Sequence, residues 1–116
     1  MIALALRYKN RLYYHEFQSG ELITFGSGSN DTVRIMDMVE NQLSILEKQE
    51  QFFVHSRAPF HYEGNNLPFG SLVKLDNNTH CLLYVSHATG AFPQRMKLPH
   101  NGTKAHTRHI PNVTNP

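Results

Sequence analysis

A chain of 116 residues, 40% apolar and 17% charged, reads as one globular domain, large enough for a single modest core and too small for two, which excludes a disordered chain. Its single cysteine, Cys81, excludes an internal disulfide and points to a reducing compartment. Nucleic-acid binding would want basic residues interleaved with aromatics on one sheet face, and Tyr8, Arg7, Arg11 and Tyr13 are the only such cluster; no apolar run approaches the roughly 20 residues of a spanning helix.

Residues 2–8 alternate, with Ile2, Leu4 and Leu6 on one face and Ala3, Ala5 and Arg7 on the other, a period of two that predicts a strand. Lys9-Asn10 reads as a hairpin turn into a second strand, Leu12 to Phe17, whose two faces both carry aromatics. After a turn at Gln18-Ser19-Gly20-Glu21 comes Leu22-Ile23-Thr24-Phe25, then Gly26-Ser27-Gly28-Ser29-Asn30-Asp31, then Val33-Arg34-Ile35. Branched and aromatic residues suit a pleated, half-buried surface, while Gly, Ser, Asn and Asp favour a tight loop between two such runs.

Residues 36–42 lack periodicity and read as a loop. Leu43 to Lys48 and Gln51 to His55 predict a hairpin with Gln49-Glu50 at its tip, although Met38, Gln42, Ile45 and Gln49 also sit at helical spacings. Gly64-Asn65-Asn66, after Phe60 to Glu63, reads as another turn. Leu72 to Leu75 and His80 to Val85 complete the strands, and His15, His55, His61 and His80 are expected half-exposed on them. Turn signals every 8–12 residues or so are the spacing of an all-β sandwich.

From Phe92 the composition changes. Pro93, Pro99, Pro111 and Pro116 leave no pattern that could bury a face, so residues 92–116 read as a linker or a surface strap. This segment carries Arg95, Lys97, Lys104 and Arg108 and no acid, whereas residues 1–92 hold the other seven Lys and Arg against nine Asp and Glu. A basic tail can attract anionic lipid or nucleic acid. The linker-like end also reads as a piece cut from a longer protein.

Catalytic chemistry is weakly supported. No Gly-x-Ser-x-Gly elbow occurs, and Cys81 lies in the apolar run Cys81-Leu82-Leu83-Tyr84-Val85, as a buried structural thiol would. Gly26-Ser27-Gly28 continues into a strand instead of Gly-Lys-Ser/Thr and a helix, so it is no nucleotide cradle. His100, His106 and His109 have no Cys or carboxylate nearby to complete a metal shell. Sequons at Asn30, Asn77, Asn101 and Asn112 read as loop polarity, since Met1-Ile2-Ala3-Leu4-Ala5-Leu6 is too short for a signal-peptide core. No metal, cofactor or small-molecule substrate is expected, and a cytosolic location is.

Gly26, Ser29, Asn30, Asp31, Val33 and Ile35 together resemble the centre of a forkhead-associated (FHA) domain. That family shows an apolar strand, Gly-Arg, a small polar loop, Asn-Asp and another apolar strand. Tyr62-Glu63-Gly64-Asn65-Asn66-Leu67, followed by Gly70 to Leu75, is similar to its late hairpin region, and the resemblance covers about residues 2–86. It implies a β-sandwich of two twisted, mainly antiparallel sheets over residues 1–91, with binding loops at one end.

Most FHA domains bind phosphothreonine peptides, and here the resemblance breaks. Ser27 stands where the family carries its phosphate-binding Arg, Glu40 falls where a phosphate-binding Ser is expected, and Leu43 falls near a structural His. A phosphate near −2 charge needs fixed donors. The expected reading is therefore an FHA-like protein-interaction module without phosphothreonine binding. Its candidate contacts are Ser27, Ser29, Asn30, Arg34, Met36, Met38, Glu40, Asn41, Asn65 and Asn66, with the methionines as adaptable apolar contacts.

Leu4 to Val85 most resembles the N-terminal cytosolic module of the FtsK/SpoIIIE-type membrane ATPases of type VII secretion (EssC-type), which implies a secretion-system protein as partner; the ATPase motifs are absent from this chain. Three alternatives remain open: a phosphothreonine reader with a site rebuilt from Arg34 and Asn41, a basic-tail binder of anionic lipid or nucleic acid, and an all-β spacer.

Overall fold

A computed structural model of the chain describes residues 1–76, 81–88, 92–93 and 96, and the backbone of 103–104. The described residues form ten strands and no α-helix, arranged as two five-stranded sheets. This is the all-β, two-sheet class expected of the sequence. Most pairs are antiparallel; β10 (Thr103–Lys104) with β2, and β3 with β4, run parallel. Each sheet belongs to a separate compact unit, one of Met1–Phe17 with Phe69–Pro116, the other of Gln18–Pro68.

The first sheet has the order β10-β2-β1-β9-β8, where β1 is Ile2–Tyr8, β2 Arg11–Phe17, β8 Leu72–Lys74 and β9 Cys81–His87. The β1–β2 hairpin turns at Lys9 (φ 51°) and Asn10 (φ 63°), the doubly positive geometry that matches strand twist in a two-residue loop. Both faces of β1 are buried, not one. Ala3 and Ala5 join Leu12, Tyr14, Leu82 and Met96 in one cluster, with Tyr84 and Phe92 packed at its margin. The small side chains of Ala3 and Ala5 leave room for Met96, which is fully buried, and the Phe92 ring lies 5.6 Å from Tyr14 and 6.1 Å from Tyr84. His15 is buried in β2 beside the stacked ring of Phe17, instead of half-exposed as expected.

The second sheet has the order β4-β3-β5-β6-β7, with β3 Leu22–Gly26, β4 Val33–Arg34, β5 Leu43–Lys48, β6 Gln51–Ser56 and β7 Glu63–Pro68. Residues 43–48 are strand, not helix, and the hairpin tip falls at Gln49 (φ 56°) and Glu50 (φ 62°). Ile23, Phe25, Leu43, Ile45, Phe52 and Val54 are buried on alternate positions, and each such side chain contributes about 1.5–3 kcal/mol.

The turn expected at Gly64-Asn65-Asn66 is not there. The chain turns at 58–60 instead, and Gly64, Asn65 and Asn66 run within β7. An edge strand needs only one set of ladder bonds, and the irregular register opposite Phe52 and Val54 absorbs Asn66 at φ 56°. His61 accordingly sits in a loop before β7 (φ 53°), and His80 lies outside the described residues. No helix among the described residues is long and apolar enough to cross a membrane.

Candidate functional site

The loops of interest leave the second sheet at the end where Phe25 pairs with Leu43 and Leu43 with Ser56. Two threonines close the strand–loop–strand. The Thr24 N–H donates to Thr32 Oγ1 (3.0 Å) and the Thr32 N–H to Thr24 Oγ1 (3.1 Å), so each hydroxyl satisfies the other residue's backbone. The Ile35 N–H donates to Gly26 O at 2.9 Å, continuing the parallel pairing of β3 and β4.

Asp31 is the hinge pin of this end. Its Oδ2 accepts the Gly28 N–H (2.8 Å) and the Asn41 N–H (3.0 Å), joining the first loop to the loop of residues 36–42. The Asp31 N–H donates back to Gly28 O at 3.1 Å. Gly26 is required by close approach: a Cβ there would lie 2.5 Å from both Asn41 N and Val39 O, and 2.6 Å from Asp31 Oδ2. At Gly28 a Cβ would meet Glu40 Cγ at 2.5 Å and its Oε2 at 2.9 Å, so the Glu40 side chain lies directly over Gly28.

Ser27, Ser29, Asn30, Arg34, Met36, Glu40 and Asn41 are thus gathered in one loop region. Arg34 Nη2 donates to Ser27 O at 3.4 Å and to Met36 Sδ at 3.6 Å, which lays the guanidinium along the loop. Met36 is 71% exposed, but Met38, expected beside it as a second surface contact, is 6% exposed and belongs to the core. The Met38 N–H donates to Ile35 O at 3.1 Å, and the turn it closes carries the side chain inward; Val39, 47% exposed, is the second apolar group outside. Asn65 and Asn66 are not part of the cluster. They stand on β7 between the Val54 and Phe52 positions, roughly 10 Å along the strand from this end.

Two residues escaped the sequence reading. Buried Gln42 donates from Nε2 to Arg57 O (2.6 Å), while its own carbonyl accepts the Arg57 N–H (3.0 Å). Arg57 Nη1 then donates to Glu40 O at 3.0 Å and braces the 40–42 segment. A glutamine in an aperiodic stretch and an arginine before Ala-Pro carry no pattern that pairs them; only the β5–β6 register does, by setting Leu43 opposite Ser56.

Chemically this region offers carboxylates of Asp31 and Glu40, guanidinium groups of Arg34 and Arg57, and two exposed apolar side chains. The Gly28 and Asn41 N–H groups are already held by Asp31 and are not open donors. Among the described residues no three His, Cys, Asp or Glu gather as a metal site would require.

No family model and no curated protein matches the chain. One solved structure, titled "Rv0020c_FHA Structure", is similar to it with a TM-score of 0.48 and 14% identity, over 74% of this chain and 93% of that one.

Proposed function

We propose that this chain is a non-catalytic protein-interaction module of FHA type that recognises an unphosphorylated protein surface. In this reading it is the N-terminal assembly domain of a type VII secretion ATPase, on the cytosolic face of the membrane. One observation carries the rejection of phosphate: Asp31 occupies the Gly28 and Asn41 donors while Glu40 covers Gly28. A dianion entering there would displace one carboxylate and face another, with no fixed Arg at position 27 to offset the cost. Met36 and Val39, exposed between Arg34 and Glu40, supply apolar contact area of the kind a protein partner buries. The family assignment rests on the order of Gly26, Ser29, Asn30, Asp31, Val33 and Ile35 in the sequence.

A second reading has one observation in its favour. Arg34 reaches the Ser27 carbonyl, which brings a guanidinium to the place of the missing Arg and could rebuild a phosphothreonine site. Isothermal titration with matched threonine and phosphothreonine peptide pools separates the two. Heats independent of phosphate support the interaction module; binding that requires the phosphate group overturns it.

A further inference from the structure

Charge is sorted between the two units. Among the described residues the first unit holds five Lys and Arg (Arg7, Lys9, Arg11, Lys74, Lys104) against two acids (Glu16, Asp76), a net +3. The second holds three Lys and Arg against seven Asp and Glu, a net −4. The basic character is therefore not a property of the C-terminal segment alone.

Register concentrates these charges. Lys74 pairs with Leu82, Leu82 with Arg7, Arg7 with Leu12, and Leu12 with Lys104, so one row across the whole first sheet places a basic residue on every other strand. Strands lie about 4.8 Å apart, which spaces the cationic positions by roughly 10 Å, about one Debye length at physiological salt. Lys9, at the adjoining hairpin turn, and Arg11, which pairs with Tyr8 and so stands on the other face from the row, are exposed at the same end of the sheet, as is Lys74. Of the two carboxylates in this unit, Asp76 is directed to the Cys81 N–H (3.1 Å) and Glu16 accepts the Tyr14 hydroxyl (2.6 Å) toward the opposite end of the sheet.

We propose that this hairpin end of the first sheet is a docking surface for anionic lipid headgroups. Nucleic acid fits it less well. Base stacking needs rings presented between the cations, yet Tyr8 and Tyr13 are buried and the residues between the basic positions are leucines. The β1–β2 hairpin is flanked by β9 and β10 in the sheet, so it is not a free two-stranded ribbon of the kind that enters a groove. A membrane asks only for several cations held on one surface, each strengthening attachment about fivefold.

Co-sedimentation of the full chain with vesicles tests this, comparing phosphatidylcholine alone with an equal mixture of phosphatidylcholine and phosphatidylglycerol. Binding to the mixed vesicles only, weakening with added salt, is expected. The triple variant Lys9→Gln, Arg11→Gln, Lys74→Gln, with an unchanged urea midpoint, should bind roughly a hundredfold more weakly. Lys48→Gln on the second sheet should not. The proposal is overturned by any of three results: no preference for phosphatidylglycerol, full binding by the triple variant, or equal or tighter binding of single-stranded DNA at matched phosphate concentration. It also fails if neutralising Arg95, Lys97 and Arg108 abolishes binding while the triple variant retains it.

Discussion

Asp31 and Asn41, ten residues apart, meet at 3.0 Å, and the carboxylate oxygen that receives the Asn41 N–H also holds Gly28 at 2.8 Å. One side chain thus fixes the separation of the two loops. Asp31→Ala leaves both N–H groups without this acceptor and should cost about 2–3 kcal/mol, read from the urea midpoint. Asp31→Asn keeps a neutral oxygen in place and should lose about half as much.

The two glycines beside Asp31 should respond differently to the same methyl group. Gly26→Ala drives a Cβ into the backbone at Val39 and Asn41, which cannot move without carrying the 36–42 loop, so a loss of about 3 kcal/mol is expected. Gly28→Ala meets only the end of the exposed Glu40 side chain, which can swing aside, and should cost under about 1 kcal/mol. Thermal unfolding of the pair checks this; equal losses would mean that Glu40 is as fixed as backbone.

These residues show what the sequence could and could not convey. The hairpins at Lys9-Asn10 and Gln49-Glu50 were legible because two short-range signals agree, period-two alternation and a two-residue gap. The strand–loop–strand around Gly26 was legible from composition, as two branched and aromatic runs flank a segment of Gly, Ser, Asn and Asp. Gly64-Asn65-Asn66 misled because turn-forming residues are also tolerated on a bulged edge strand, and only the pairing with β6 decides between the two. Met38 and Gln42 were opaque: in a loop no period reports which side chains face inward. The second buried face of β1 was hidden too, since it is made by Met96 and Phe92, in a stretch whose prolines mask its two apolar anchors.

Met96 is fully enclosed by Ala3, Ala5, Leu12, Tyr14 and Leu82. Met96→Ala should destabilise the chain by about 2–4 kcal/mol in urea, as expected for a large-to-small change in a closed core. Ending the chain at residue 91 should cost at least as much, because Phe92 leaves with it. A truncated chain as stable as the whole would show that these contacts contribute nothing.

Cys81 is buried with no exposed surface, and burial first, then the nearby Asp76 charge, push its thiol well above the ordinary 9.0. Native protein at pH 8 should resist a thiol-specific reagent that labels it at once in urea. The folded state holds this proton more tightly than the unfolded chain, so the associated stability is complete below pH 9 and is lost as pH rises above it. Burial and the Glu16 contact raise the Tyr14 phenol above its usual 10.0 and add a second loss at higher pH. The urea midpoint should fall between pH 8 and 10.5, and fall less in Cys81→Ala.

The occupied donors at Gly28 and Asn41 are most directly probed by their own amide resonances. In a titration of the labelled chain with phosphothreonine peptide, the Gly28 and Asn41 cross-peaks should stay in place while the phosphate is varied. A saturable shift of both, absent with the unphosphorylated peptide, would contradict this expectation.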